Sequence, residues 1–410
     1  MQPFHRLARP LLLALGLAAG GGAALAETSP WYLGVNQGFS YDSNVFRLPE
    51  AFEQSSWWSS SALVGGLDQR YGRQRFYANG TVALNRYSSL DQLNNTSYNL
   101  SGGWDWETIN RLSGQLYASY AENLGNYGGF YDTLITQKNT ERRIAAHASV
   151  RYGLASLLAA QARLAYSSVR YSAPQYAGWE LDQASITLSL DKEFSGQLRL
   201  GPGVAYTSGD YAAVFRDFSR YDLFLTGRWM LTGLSTLSGR VGYSSWSYGG
   251  LNPYDETSVT GWITWRYLPT GKLAFDTTLS YDTLANTGLT DMGGGAVGSQ
   301  GDTNRLTTGI RIAATYQLTG KTSLNASLQF YRRTQDYSIN PPPGLPPLPV
   351  EIRDQVTNLS LGGTWVPRRN WQVNCNLYLA SRNQSTNQPL IAMTPYDAYG
   401  GNCAVQFVLQ

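Results

Sequence analysis

The chain has 410 residues, with 13% aromatics, 43 Gly, and only 14% Lys, Arg, Asp and Glu together. That charged fraction falls short of the roughly 25% usual in soluble domains, which disfavours a large water-facing surface. The formal net charge of +3 drops to about +1 once Arg6 and Arg9 are set aside, so no basic footprint for nucleic acid remains.

Residues 1–26 read as a secretory signal peptide. Arg6 and Arg9 form the basic start, LLLALGLAAGGGAALA is apolar, and Ala24-Leu25-Ala26 has the small-x-small form cleaved before Glu27. After it, no apolar stretch is long enough to span a bilayer as a helix. The route left to this chain through a membrane is a closed sheet.

From residue 27 to the end, runs of about ten residues alternate apolar and small polar side chains. In SLNASLQFYRR, Leu324, Ala326, Leu328 and Phe330 share one face, while Ser323, Asn325, Ser327, Gln329 and Tyr331 take the other. LTTGIRIAATYQL and WQVNCNLYLASR repeat the pattern. A period of two marks strands with one apolar and one wet face.

Eight compact turns punctuate these runs: 71–73, 108–110, 153–155, 195–197, 231–233, 269–271, 318–320 and 367–369. They are rich in Gly, Asn, Thr and Pro, as tight hairpins require. Longer polar segments lie between them, including 125–136, 285–301 and 383–394, and Asn340 to Val350 (NPPPGLPPLPV) is expected to be a loop. Eight short and nine long connections in alternation join eighteen strands. The expectation is an all-β fold: one transmembrane antiparallel up-and-down β-barrel over 27–410, in the outer membrane of a Gram-negative bacterium. A sandwich or propeller does not predict alternating connection lengths, and no internal repeat supports a propeller.

Parity assigns faces. The lipid set includes Trp31, Leu33, Val35, Phe39 and Tyr41; Leu158, Ala160, Ala162 and Leu164; Leu223, Leu225 and Trp229; Leu359, Leu361 and Trp365. Arg73, Arg75, Arg143, Arg151, Arg163, Arg199, Arg228, Arg240, Arg266, Arg305, Arg311 and Arg333 fall on the opposite, lumenal side. An Arg facing lipid near the midplane costs about 2–4 kcal/mol, which drives them inward. Asp68, Asp105, Asp191, Asp222, Asp276 and Asp282 share that space. Two readings stay open: a solvated interior of Arg–Asp pairs, or a conduit whose guanidinium groups hold carboxylates or hydroxyls of a passing ligand. In the second, Tyr32, Tyr77, Tyr117, Tyr331 and Tyr378 offer flat faces to sugar rings.

The opening strand and loop, GFSYDSNVFRL (Gly38 to Leu48), and the segment from Val366-Pro367-Arg368-Arg369-Asn370-Trp371 to the end resemble the EpsL-type outer-membrane proteins of exopolysaccharide operons and the wider β-barrel porin group around them. The chain departs from that group by ending AVQFVLQ, with Phe407 three residues before the end. The resemblance implies passive export of an exopolysaccharide, with outer-membrane lipid and periplasmic polysaccharide-export proteins as partners. It marks Asp42, Asn44 and Arg47, for which a turn satisfying local backbone donors is the plainer role. A general or solute-selective porin is the competing function, and a purely structural part in membrane integrity a weaker third.

Catalysis is not expected. The one histidine after the signal, His147, has inward parity, but neither Ser149 nor Asp191 is placed beside it by sequence. No metal cluster, phosphate loop or dinucleotide fingerprint is present, so neither metal nor cofactor is expected. The only cysteines, Cys375 and Cys403, stand fourteen residues either side of Pro389, on one face of the final hairpin. Opposed strand residues lie about 4.5–5.5 Å apart between Cα atoms, within reach of a disulfide in an oxidising compartment.

Overall fold

The computed structural model describes residues 29–125, 127, 136–154, 157–212, 217–249, 254–283, 306–339, 348–388 and 394–409. The signal segment and Arg305 lie outside the described residues, as does most of 125–136 and all of 285–301.

The chain forms eighteen strands. The first six are β1 (Trp31–Asp42), β2 (Ser56–Tyr71), β3 (Gln74–Tyr87), β4 (Asn95–Glu107), β5 (Leu112–Leu124) and β6 (Thr140–Leu154). Then come β7 (Leu158–Tyr171), β8 (Leu181–Glu193), β9 (Leu198–Tyr211), β10 (Phe218–Thr232), β11 (Ser235–Tyr248) and β12 (Tyr254–Thr270). The last six are β13 (Leu273–Thr283), β14 (Leu306–Thr319), β15 (Thr322–Ile339), β16 (Leu348–Arg368), β17 (Trp371–Thr386) and β18 (Tyr396–Leu409). Each pairs antiparallel with its chain neighbours, and β1 closes on β18 from Leu33 opposite Leu409 to Asp42 opposite Gly400. Closure leaves no open edge over the length that the strands share, so ladder groups there are paired without water.

All eight short connections fall at one end and all nine long ones at the other. Among the longer segments, two boundaries differ from the sequence reading. Asn383 to Thr386 continue β17, and Leu348, Pro349 and Val350 open β16 opposite Tyr337 to Ile339. Pro349 is tolerated because β17 joins β16 only from Ile352 onward, so the missing N–H falls where the strand has one neighbour.

The exterior is apolar. Leu33, Leu63, Leu164, Leu223, Val241 and Leu377 are all exposed there, in the manner of a lipid-facing belt. Trp104, Trp229, Trp265, Trp365 and Trp371 gather outward near the short turns, while Trp57, Tyr166, Tyr206, Tyr221 and Tyr399 do so near the long loops. Two such girdles suit the two membrane–water interfaces, where amphipathic rings settle. A concavity of about 880 Å³ lies on this outer wall across β4 to β9, paved by small residues such as Gly102, Ala118, Ala146 and Ala184. Its paving has outward parity, which places it against lipid and outside the passage.

Cys375 and Cys403 face each other across β17 and β18 and form a disulfide, with Cα atoms 4.1 Å apart. Both have outward parity, on the lipid side. The bridge closes a span of 28 residues, for which the chain-entropy account gives at most about 3–4 kcal/mol. Part of that is already secured by the ladder, so the Cys375→Ala, Cys403→Ala double variant is expected to lose about 1–3 kcal/mol in detergent unfolding. An unchanged midpoint would assign the bridge no role in stability.

Candidate functional site

The lumen is built by parity. Along β3 the inward residues run Arg75, Tyr77 and Asn79, and their register partners on β4 are Asp105, Gly103 and Ser101. The same alternation turns Arg143, His147 and Arg151 inward on β6, Arg163 on β7, Arg199 on β9 and Arg228 on β10. Arg240, Arg266, Arg311 and Arg333 follow on β11, β12, β14 and β15. Arg73 does not join them. It sits in the turn after β2, where its guanidinium donates to the Thr108 carbonyl at 3.0 Å. The tight turn leaves it outside the alternating ladder.

Most of these cations are neutralised by carboxylates on a neighbouring strand or on their own. Arg75 donates twice to Asp68, at 2.8 and 2.6 Å, and reaches Asp105 at 3.5 Å. Asp191 lies 2.9 Å from Arg151 and 3.6 Å from Arg199. Arg266 meets Asp276 at 3.8 Å, and Arg143 pairs with Glu141. Among the described residues, Arg163, Arg228 and Arg311 form no ion pair within 4 Å. They are the lumenal guanidiniums with donors to spare for a passing anion.

Two deeper clusters include residues that the sequence reading passed over. On β10 to β13, buried Arg220 meets Asp222 at 2.7 Å and Asp282 at 3.0 Å, and stacks 4.5 Å over Trp246. Arg240 adds a 3.5 Å approach to Asp222 and lies 3.9 Å over Phe224. On β15 to β17, Asp354 is 2% exposed and sits between Arg382 at 2.9 Å and Arg333 at 3.8 Å. Arg220 was legible as the inward neighbour of Asp222 two residues away. Arg382 was legible by the parity that places Tyr378.

The tyrosines behave differently from free platforms. A Cβ built on Gly103 would fall 2.4 Å from the Tyr77 hydroxyl, and one on Gly400 2.4 Å from that of Tyr378. Tyr32 covers Gly66 in the same way. These rings lie along the wall, filling gaps that glycine leaves on the neighbouring strand. Tyr331 is only 4% exposed, which removes it as an open sugar platform. Tyr117 stacks on His147, with centroids 5.1 Å apart.

His147 is fixed by that stacking and by a 2.8 Å hydrogen bond between Nε2 and the Gln115 side-chain oxygen. The Gln115 amide in turn donates to Tyr77 and to Asp105, at 3.1 and 2.8 Å. Asp191 is taken up by its two arginines, leaving His147 in a structural network with no acid–base partner among the described residues.

The segment that prompted the family resemblance ties down the first long loop. The Asn44 side chain accepts from the Leu48 N–H at 2.9 Å and donates to the Leu48 carbonyl at 2.7 Å and to the Asp397 carbonyl at 3.0 Å. The Asn44 N–H donates to Asp42, and Arg47, at φ 55°, pairs with Asp42 at 2.8 Å. The loop then inserts Phe46 and Leu48 against Leu90 and Leu93 of the second long loop. Tyr127 of the third packs there too, and Tyr176 of the fourth is buried against Ala173 and Tyr171, which pushes its hydroxyl up to about 12. Asp42, Asn44 and Arg47 are therefore occupied in loop architecture. Asn44→Ala removes two buried hydrogen bonds and one part-buried one and is expected to open loop 1 to proteolysis, at a cost of about 1–3 kcal/mol. Wild-type resistance to proteolysis in that variant would contradict the assignment.

No family model matches the chain, and no curated protein matches it in sequence. Solved structures match it in fold. OccK2 (OpdF) of Pseudomonas aeruginosa, in complex with glucuronate, superposes with a TM-score of 0.51 at 11% identity, over 93% of this chain and 98% of that one. The outer membrane protein OpdK of the same organism gives 0.49 at 13% identity, over 92% and 98%. At such identities the likeness is one of fold. With its closed eighteen-strand sheet, lipid-facing belt and paired aromatic girdles, the chain is an outer-membrane β-barrel.

Proposed function

We propose that the chain is a passive, solute-selective channel for small polar molecules. The observation that carries this reading is the division among the lumenal arginines: most are spent on carboxylates, while Arg163, Arg228 and Arg311 keep free donors. Each is a single, partly exposed guanidinium, which holds a carboxylate or hydroxyl briefly and releases it. Conduction needs binding of that strength.

The exopolysaccharide conduit suggested by Gly38 to Leu48 has less behind it. Its marked residues are consumed in loop 1, and the lumen near the long loops is dense with buried side chains such as Tyr331, Asp354, Arg382 and Tyr396. A rigid polymer has little to gain from such a wall. The test is reconstitution in planar bilayers together with deletion in the native strain. Stepwise conductance and unchanged secreted polysaccharide are expected. Silent bilayers with polymer lost on deletion would reverse the assignment.

A further inference from the structure

The lumen has two chemically different faces. Most of the Arg–Asp pairs described above stand on β2 to β14. From β15 through β18 and onto β1 as far as Ser40, the inward residues between the short-turn end and the Arg333–Asp354–Arg382 cluster are uncharged, and carboxamides are the commonest of them; Asp42, at the end of β1 opposite Gly400, is ion-paired with Arg47. One register row carries Asn325 on β15, Gly362 on β16, Asn376 on β17 and Asn402 on β18.

Gly362 lets the amides converge. A Cβ there would lie 2.8 Å from the Asn325 side-chain nitrogen and 3.1 Å from the Asn376 side-chain oxygen, so both groups lean over it from either side. On the next row Asn374 Oδ1 accepts from Thr364 at 2.9 Å and Gln372 at 3.0 Å, while its Nδ2 has no partner in the protein. Asn376 Nδ2 and both polar atoms of Asn358 also have none, and Asn358 is 7% exposed. Tyr378, laid over Gly400, borders the patch with an aromatic ring.

A carboxamide places a donor and an acceptor side by side, matching neighbouring hydroxyls on a sugar ring. The ionised groups that border this wall, Asp42 with Arg47 and Asp354 with Arg333 and Arg382, are buried and paired with one another, so a charged solute gains little from them. We propose that the β15 to β18 face binds the hydroxyls of an uncharged saccharide as it passes. The proposal rests on the channel reading and names the solute class that this wall selects.

Single-channel current decides it, with raffinose as the probe and poly(ethylene glycol) of similar mass as the steric control. Raffinose is expected to block the wild-type current saturably, beyond the effect of the polymer. The Asn325→Leu, Asn376→Leu variant should keep its open conductance and heat-modifiable migration while needing at least ten-fold more raffinose. Gln161→Leu, an inward amide on β7 across the lumen, should block like wild type. Equal block by the polymer, or undiminished raffinose block in the double variant, overturns this inference and leaves the channel standing. Absence of any wild-type conductance removes the channel reading and this inference with it.

Discussion

Asp354→Ala is expected to destabilise the barrel by about 3–5 kcal/mol, the usual cost of stripping the partner from a buried charge. The carboxylate is almost fully buried and is shared by Arg382 and Arg333, themselves 2% and 3% exposed. Removing it takes from two buried guanidinium groups the carboxylate that they share. The measurement is the unfolding midpoint in detergent, read by the shift between folded and unfolded migration on gels. Asp354→Leu combined with Arg382→Leu should cost clearly less than the sum of the single changes, because the stranded charge goes with its partner. Additive losses would show that the pair is screened by water and that the site is more open than its burial indicates.

The contrast between legible and illegible features follows from range. A period of two is written in consecutive residues, which is why Leu324 and Leu328 could be assigned to lipid and Asn325 and Gln329 to the lumen without a structure. Strand number was legible because turn chemistry is local and because short and long connections alternate. The Asn44 turn was legible for the same reason, since its bonds to Leu48 and Asp42 span four residues or fewer.

Charge neutralisation is not local. Arg382 finds Asp354 across 28 residues, and Arg220 finds Asp282 across 62. Such pairings depend on register and on strand stagger around the barrel, neither of which parity encodes. The flattened tyrosines were hidden for a related reason. Whether Tyr77 stands in the lumen or lies over Gly103 depends on which residue the neighbouring strand places opposite it. Pro349 in a strand likewise reflects how far β17 extends, a property of another segment.

On the channel reading, replacing Arg163, Arg228 and Arg311 together by Gln should move the reversal potential from the anion side to the cation side. The wild-type lumen holds near-equal numbers of Arg and acidic residues, so its field is small and its reversal potential in a salt gradient should lie close to zero, on the anion side. Removing three positive charges leaves every carboxylate in place, and the surplus then attracts cations. These residues are chosen because their loss strands no partner: none of them forms an ion pair among the described residues, so folding should be largely preserved. Arg75→Gln makes the informative comparison. It removes one charge but frees Asp68 and Asp105 to rearrange, so it should combine a smaller shift toward cations with a measurable loss of stability. Reversal potentials across a ten-fold potassium chloride gradient distinguish these outcomes. A triple variant that stays anion-selective would mean that these three guanidiniums do not set the selectivity.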